Sequence, residues 1–349
     1  MLLKKGTGNM AEQWCVSCGK YIGYGNSENV NAQCKNCRPK DINYPIPKWI
    51  IFSGIILLVL VIYQYGNNFS EGLEYRRNKT LGNEAFENGL YLTAMNRYEA
   101  LLMQDKLYME DNAKLYISYV ENYEYDKAIK LFDKKLAGKP IQDDELYAKV
   151  NSCTLILNDY FDVSQEFEIQ YSKMVDKSLH DQIIAINEFL ANNPQEYFAY
   201  QILSNAYFET GNYQKAIEAL EKANKLKPKL ADNYYMSLAG IYRQMGKFEE
   251  AYSSLNKISK ENKENFMLTC AIARTKIKEK KYFEALSLLK VKAYADINNP
   301  YYDETITIAY HFNNMNTERD KLMEKNKDNQ NFDYQFLIQI FSGKSKFYN

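Results

Sequence analysis

Apolar and polar positions follow the period of amphipathic helices along most of this chain, and the pattern recurs about every 34 residues. In the clearest copy, between residues 197 and 230, the apolar and small positions are Tyr200, Leu203, Ser204, Tyr207, Gly211, Tyr213, Ala216, Leu220, Ala223 and Pro228. A unit of this length holds two short helices, and one such unit cannot bury its apolar face alone. The pattern therefore predicts a stack of helical hairpins with a concave surface.

The same positions carry a family signature. At this spacing the chain has a large residue, a Leu-small pair, an aromatic residue, Gly-x-aromatic, two alanines and a final proline. This arrangement resembles the tetratricopeptide repeat family. The resemblance implies a mainly α fold, a solenoid of antiparallel helix pairs, that binds proteins rather than catalysing a reaction. Its turn residue Gly211 is expected to adopt a positive φ, and Ala216, Ala251 and Ala285 are expected where the paired helices approach closely.

Further repeats are placed by their turn residues and the aromatic residues that follow. Units start near residues 75 and 109, the clearer repeats span 195–330, and a closing helix at Phe332–Phe341 with a tail occupies 331–349. The divergent part, 71–194, contains an interruption: three helical segments (143–158, 161–175 and 179–191) occupy the interval 143–194. Either one repeat is half missing there or the array bends, and the sequence leaves both possibilities open.

A long apolar segment precedes the repeats. From Trp49 to Tyr65 no charged residue occurs, and the next charge is Glu71. A helix of this length extends about 25 Å, near the lower limit for crossing a bilayer. A buried core helix is disfavoured because the segment is apolar on every face, and a cleaved signal peptide because the preceding region is too long. The sequence predicts a proline-containing linker and transmembrane helix over 45–70, with the span at about 49–65.

The flanking charges predict an orientation for this span. Arg38, Lys40 and Lys48 precede it closely, whereas Arg76 and Arg77 follow more than ten residues after it. Basic residues near a span favour the cytoplasmic side. We therefore expect a single-pass protein of the cell membrane with a cytoplasmic N-terminus and an extracytoplasmic repeat region.

Four of the six cysteines form two closely spaced pairs near the N-terminus. Cys15 and Cys18, then Cys34 and Cys37, give C-x2-C twice with fifteen residues between the pairs. Two such knuckles supply the four thiolates that Zn²⁺ prefers, and four cysteines leave no open position for catalysis. Residues 1–44 resemble the zinc-ribbon family, which implies structural zinc; two disulfides are the competing interpretation if this segment is exported.

The family resemblance also implies which residues face the concave groove. By their positions in the first helix of each repeat these are Phe198, Gln201, Asn205, Phe208, Met236, Arg243, Gln244, Cys270, Arg274 and Lys278. Aromatic, Met, Asn and Arg side chains can hold a peptide through apolar anchors and charge-assisted hydrogen bonds. Asn205 fits the subgroup that clamps a terminal carboxylate, but Gln201 and Ser237 depart from it, which argues against such a clamp.

Nothing in the sequence favours an enzyme. His180 and His311 are far apart, and no phosphate loop, His-Glu-x-x-His run or nucleophile elbow is present. The first functional hypothesis is a membrane-anchored scaffold or sensor that binds peptide or protein partners, with no small-molecule substrate. The alternative is a membrane-tethered regulator whose zinc ribbon binds nucleic acid through Lys20, Lys35 and Arg38; we prefer the first because basic residues are also expected beside a cytoplasmic membrane face.

Overall fold

The computed structural model describes residues 10–26, 32–38, 48–103, 107–291, 294, 297 and 299–344, and for residues 26, 48 and 64–71 it describes the backbone alone. The predicted linker Tyr44–Pro47 lies outside these residues. The chain divides into two compact units, Met1–Leu73 and Glu74–Asn349.

The first unit contains an antiparallel hairpin and the beginning of a long helix. Strand β1 (Met10–Trp14) pairs with β2 (Tyr21–Asn26), with Met10 opposite Asn26 and an irregularity between Gln13 and Trp14. Helix α1 runs from Lys48 to Glu87 without a break. Among the described residues 10–38 only Cys15 is buried, so apolar packing contributes little to this hairpin module.

The apolar side chains at the beginning of α1 are exposed. Trp49 is 71% exposed and Leu57 64% exposed, and every described side chain from Trp49 to Tyr63 belongs to the exposed class. In α1 the described side chains stop at Tyr63 and resume at Gly72. Over the residues that the structure describes, no helix is long and apolar enough to cross a bilayer.

The second unit consists of helices. After α1 they are α2 (Tyr91–Leu102), α3 (Met109–Glu121), α4 (Tyr125–Leu131, followed by a π-helical turn, Phe132–Leu136), α5 (Asp144–Tyr160), α6 (Gln165–Ser172), α7 (Leu179–Asn192), α8 (Tyr197–Glu209), α9 (Tyr213–Leu226), α10 (Ala231–Gln244, preceded by a 3₁₀ turn, Pro228–Leu230), α11 (Phe248–Leu255), α12 (Phe266–Lys278), α13 (Tyr282–Leu289), α14 (Pro300–Phe312), α15 (Asn316–Asn326) and α16 (Tyr334–Phe341). Most pack as antiparallel neighbours in chain order, which confirms the predicted helical solenoid.

Six helical hairpins share one turn geometry. A residue with positive φ ends the first helix of each, at Gly89, Tyr123, Gly211, Gly246, Lys280 and Asn314. The next amide donates to a carbonyl five residues before it, as Asn212 N does to Tyr207 O at 2.8 Å. This left-handed C-terminal cap stops a helix abruptly, so the second helix begins within three residues. The prediction for Gly211 is confirmed.

Lys280 occupies this left-handed position with an exposed side chain. Because a residue with a Cβ is disfavoured there and glycine is not, Lys280→Gly is expected to raise the free energy of unfolding by about 0.5 to 1 kcal/mol. Urea denaturation followed by circular dichroism measures the change. Lys247→Gly, one residue after the equivalent turn position, is the control and should not stabilise the protein.

The buried alanines pack as the pattern predicted. Ala216, Ala251 and Ala285 are each 0% exposed on the second helix of their hairpins. In the irregular interval the three predicted helices are present as α5, α6 and α7. One buried cluster extends to Leu157 on α5, and another begins at Phe167 on α6, so the change of packing falls between these two helices.

The loop between α11 and α12 joins parts of the second unit that are distant in sequence. We call residues 261–265 the clasp segment. Glu264 Oε2 accepts from Thr93 N and Oε1 from Thr93 Oγ1, both at 2.8 Å, and Lys263 N donates to Gly89 O at 2.9 Å. Asn262 Nδ2 donates to Glu121 O at 2.7 Å. The clasp segment therefore fastens the first two hairpins to the repeat that begins at Phe266, and one buried cluster contains residues from both regions.

Candidate functional site

The four N-terminal cysteines form a compact cluster on two turns. Cys15 and Cys18 lie in the turn after β1, where Gly19 N donates to Cys15 O at 2.8 Å with Gly19 at φ 68°. Cys37 N likewise donates to Cys34 O at 3.0 Å. The four sulfur atoms all lie within 4.8 Å of one another, and Cys18 Sγ is 3.8 Å from Cys34 Sγ.

Hydrogen bonds around the sulfurs favour thiolates at part of the cluster. Cys34 N donates to Cys15 Sγ at 3.3 Å, and this bond lowers the pKa of Cys15 to about 6. The pKa of Cys34 is also lowered, by its contact with Cys37, whereas hydrogen bonds to Cys18 and Cys34 raise the pKa of Cys37 to about 12. Cys15 and Cys34 therefore lose their protons more readily than Cys37 does.

The spacing of the sulfurs suits a tetrahedral metal ion. Four thiolates at about 2.3 Å from such an ion lie about 3.8 Å apart, which matches the Cys18–Cys34 separation and needs only small movements of the others. All six cysteines are free thiols in the structure. The cluster can therefore hold a metal ion with Cys15, Cys18, Cys34 and Cys37 as ligands.

A pocket on the inner face of the repeats has a volume of about 480 Å³. Its lining comes from the turn before α4 and from helices α4, α5, α8, α10 and α12: Tyr123, Tyr125, Tyr160, Tyr197, Phe198, Gln201, Ile202, Asn205, Asn233, Met236, Ser237 and Met267. We call this the concave pocket. Its volume is in the range of about 300 to 1,000 Å³ that is usual for ligand sites.

Tyrosine rings build one wall of the concave pocket. Tyr125 packs edge to face on Tyr160 at 4.6 Å between ring centroids and lies 6.1 Å from Tyr123. The Tyr197 hydroxyl accepts from Gln201 Nε2 at 2.9 Å, and the Tyr123 hydroxyl from Asn265 Nδ2 at 3.3 Å. Burial raises the pKa of Tyr123 and Tyr197 to about 12, so both remain hydrogen-bond donors at neutral pH.

Four of the predicted groove residues meet in this pocket: Phe198, Gln201, Asn205 and Met236. Phe208 instead packs on Tyr213 at 5.9 Å, and Gln244 and Lys278 are partly buried outside the lining. Cys270 is 0% exposed, and burial raises its pKa to about 12.

The two predicted groove arginines are buried among neighbouring helices. Arg274 is 4% exposed; its Nε donates to Thr305 Oγ1 at 2.8 Å, its Nη2 lies 3.2 Å from Glu304 Oε2, and its guanidinium stacks 3.9 Å above Tyr301. Arg243 is 9% exposed and donates to Ala271 O at 3.5 Å. Since α14 and α12 cover these groups, we leave both arginines out of the proposed binding surface.

Sequence reasoning missed the pocket residues that come from a turn and from helix ends distant in sequence from α8 and α10. Tyr123, Tyr125, Tyr160 and Met267 reach the lining because the array curves back on itself, with Asn265 of the clasp segment bonded to Tyr123. One local signal existed in the sequence, because Tyr123 stands at the turn position where the first repeat has Gly89. In the structure its φ is 61°. A bulky residue in that strained conformation points to a functional role.

A smaller cavity of about 70 Å³ lies beside the concave pocket and contains carboxylates. Its lining includes Glu121, Lys229 and Asp232, and Ser259 N donates to Asp232 Oδ1 at 3.1 Å. Burial, with Glu261 and Asp232 nearby, raises the pKa of Glu121 from 4.5 to about 7. Burial also raises the pKa of Asp232.

The raised pKa of Glu121 predicts a pH-dependent stability. Between about pH 4.5 and 7 the folded chain binds more protons than the unfolded chain, so stability falls as pH rises through this window. Glu121→Gln should remove the loss and raise the free energy of unfolding at pH 8 by at most about 3 kcal/mol, with little effect at pH 4.5. Urea midpoints at the two pH values test this, and Glu188→Gln, an exposed position on α7, should leave the slope unchanged.

Comparisons with known proteins find a family model that matches two of the repeats. The tetratricopeptide repeat model matches residues 199–230 and 232–265, which are the α8–α9 and α10–α11 hairpins with the segments that follow them. Superkiller protein 3 of Schizosaccharomyces pombe is 27% identical over 111 residues, 31% of this chain and 8% of that protein, so the chain spans only a small part of the length of that curated relative.

The fold is also similar to solved structures. A tetratricopeptide repeat protein from Parabacteroides merdae is 12% identical with a TM-score of 0.42, covering 77% of this chain and 99% of the other. PilF of Pseudomonas aeruginosa is 14% identical with a TM-score of 0.32, covering 68% and 97%.

Proposed function

We propose that this protein is a protein-interaction scaffold that binds its partner in the concave pocket. The observation that carries the proposal is the pocket itself, which is lined by the first helices of the two matched repeats, α8 and α10. Stacked repeats of this family present such inner faces to protein ligands. We further propose that the chain is not an enzyme, a proposal that the buried Cys270 supports because it cannot meet a substrate.

Site-specific photo-crosslinking tests the scaffold function. A photoreactive amino acid at Met236 in the pocket should give discrete adducts with protein partners in cells, whereas the same group at exposed Glu249 on α11 should not. Equal adducts at both positions, or adducts at Glu249 alone, would contradict binding in the pocket.

We also propose that the beginning of α1 anchors the protein in a membrane. The exposed run from Trp49 to Tyr63 supports this, because water-exposed apolar surface of such extent is unfavourable. The flanking charges favour a cytoplasmic N-terminus. The wild-type chain should stay with membranes after alkaline extraction, and Leu58→Arg should weaken this retention. The proposed orientation has its own test: protease added to spheroplasts should digest the repeats. Wild-type release at high pH would contradict the anchor.

For the cysteine cluster we propose Zn²⁺ in a structural role. Cys15, Cys18, Cys34 and Cys37 would hold the ion, which supplies a cross-link between the two turns. The four-sulfur donor set supports zinc because soft thiolates select it over Mg²⁺ and Ca²⁺. The hydrogen bond from the backbone amide of Cys34 to Cys15 Sγ orients one sulfur ligand relative to the second cysteine pair.

A further inference from the structure

The described lining of the concave pocket is uncharged. Its described lining consists of five aromatic residues, two methionines, one isoleucine and four neutral polar residues, without Asp, Glu, Lys, Arg or His. A charged ligand group would lose its hydration there without gaining an opposite charge. The pocket therefore selects a neutral ligand, and its aromatic wall provides flat apolar faces for that ligand.

The polar groups of the pocket are ready to donate hydrogen bonds. The hydroxyls of Tyr123 and Tyr197 each accept from a side-chain amide, which leaves their own protons for an external acceptor. The side-chain amides of Asn205 and Asn233 make no hydrogen bond to the part of the chain that the structure describes. A ligand with several exposed carbonyl groups would satisfy these donors.

A polyproline II segment combines these properties. It makes no internal hydrogen bonds, so its carbonyls point outward, and proline-rich chains dock on aromatic grooves at low entropic cost. One turn of three residues is about 9 Å long, a size suited to a cavity of about 480 Å³. An α-helix satisfies its own carbonyls and would leave the donors unpaired.

From this chemistry we propose that the concave pocket binds a neutral, proline-rich segment of a partner protein in the polyproline II conformation. The inference rests on the proposed scaffold function and specifies its ligand. A carbohydrate is the other class that stacks on tyrosine rings, but the apolar Ile202, Met236 and Met267 favour the pyrrolidine rings of a proline-rich chain over sugar rings that carry hydroxyls.

Calorimetric titration of the full-length protein in detergent tests the proposal. The probes are a capped oligoproline peptide, a capped Glu/Lys-rich helical peptide and the neutral oligosaccharide maltohexaose. Oligoproline alone should bind. Tyr160→Ala should weaken its binding about tenfold and Tyr197→Phe a few-fold, because they remove a stacking ring and a donor. Tyr147→Ala, an exposed tyrosine on the same helix as Tyr160, should change nothing.

Three outcomes would overturn this inference: no binding of oligoproline by the wild-type chain, equal weakening by Tyr147→Ala and Tyr160→Ala, or stronger binding of the helical peptide or of maltohexaose. Tyr197→Phe keeps the ring, so it remains informative if Tyr160→Ala fails to fold. Protein adducts from position 236 without oligoproline binding would leave the scaffold function standing and reject only the proline-rich ligand.

Discussion

Cys15→Ser is expected to unfold the hairpin module that contains the cysteine cluster and to abolish the zinc binding proposed for that cluster. The expected effect is large, because Cys15 is the only buried residue among those described in this module and no apolar core replaces the metal cross-link. Structural zinc in small domains contributes about 10 to 16 kcal/mol of apparent binding free energy. Metal analysis of the purified chain and hydrogen exchange of the β1 and β2 amides measure the two losses.

Cys153→Ser supplies the matched control for this prediction. Cys153 is a buried cysteine of α5, outside the N-terminal cluster, and burial raises its pKa to about 12. Its replacement should lower the stability of the repeats and leave the metal content unchanged. Equal metal content in Cys15→Ser and the wild type, or two disulfides found by mass spectrometry in the native chain, would refute the structural zinc site.

The features that the sequence predicted well are local ones. The cysteine pairs, the turn at Gly211 and the buried Ala216 each depend on residues within one turn or one hairpin, so their spacing along the chain carries the information. Phe198 and Asn205, which the pattern predicts on the groove, lie in the pocket lining; both lie on the first helix of a clear repeat.

The features that the sequence could not supply depend on contacts between repeats. Arg274 occupies a position that the family pattern assigns to the groove, yet Thr305 and Glu304 of the next hairpin bury its guanidinium. Tyr160 reaches the concave pocket because α5 is the first helix of the irregular interval, whose packing has no periodic signal. Glu264 and Thr93 are 171 positions apart in the sequence, and neither residue type indicates that the two are in contact.

Gly89→Ala is expected to open the contact between the clasp segment and the first hairpin. Gly89 has φ 71°, and a Cβ there would lie 2.4 Å from the backbone oxygen of Glu261. The strain of a left-handed alanine costs about 1 to 2 kcal/mol, and the displaced loop also loses the hydrogen bonds from Thr93 and Lys263. We expect a total loss of about 3 to 5 kcal/mol in the free energy of unfolding.

Gly211→Ala isolates the backbone strain, because Gly211 has φ 75° but no atom within 4 Å of the added Cβ. It should cost only about 1 to 2 kcal/mol, and urea denaturation of both variants gives the comparison. Similar losses in the two proteins would mean that the loop adapts and that the contact contributes little.

Glu264→Gln tests the same contact without changing the backbone. The carboxylate binds the first turn of α2, where a negative charge is favoured by the helix dipole, so the neutral amide should cost about 1 to 2 kcal/mol. Glu188→Gln, at an exposed position on α7, is the control. Asn265 of the clasp segment bonds to Tyr123, and Met267 lines the concave pocket. Release of the clasp segment should therefore also weaken ligand binding in the concave pocket. The contact between Glu264 and Thr93 is thus linked to the proposed function as well as to stability.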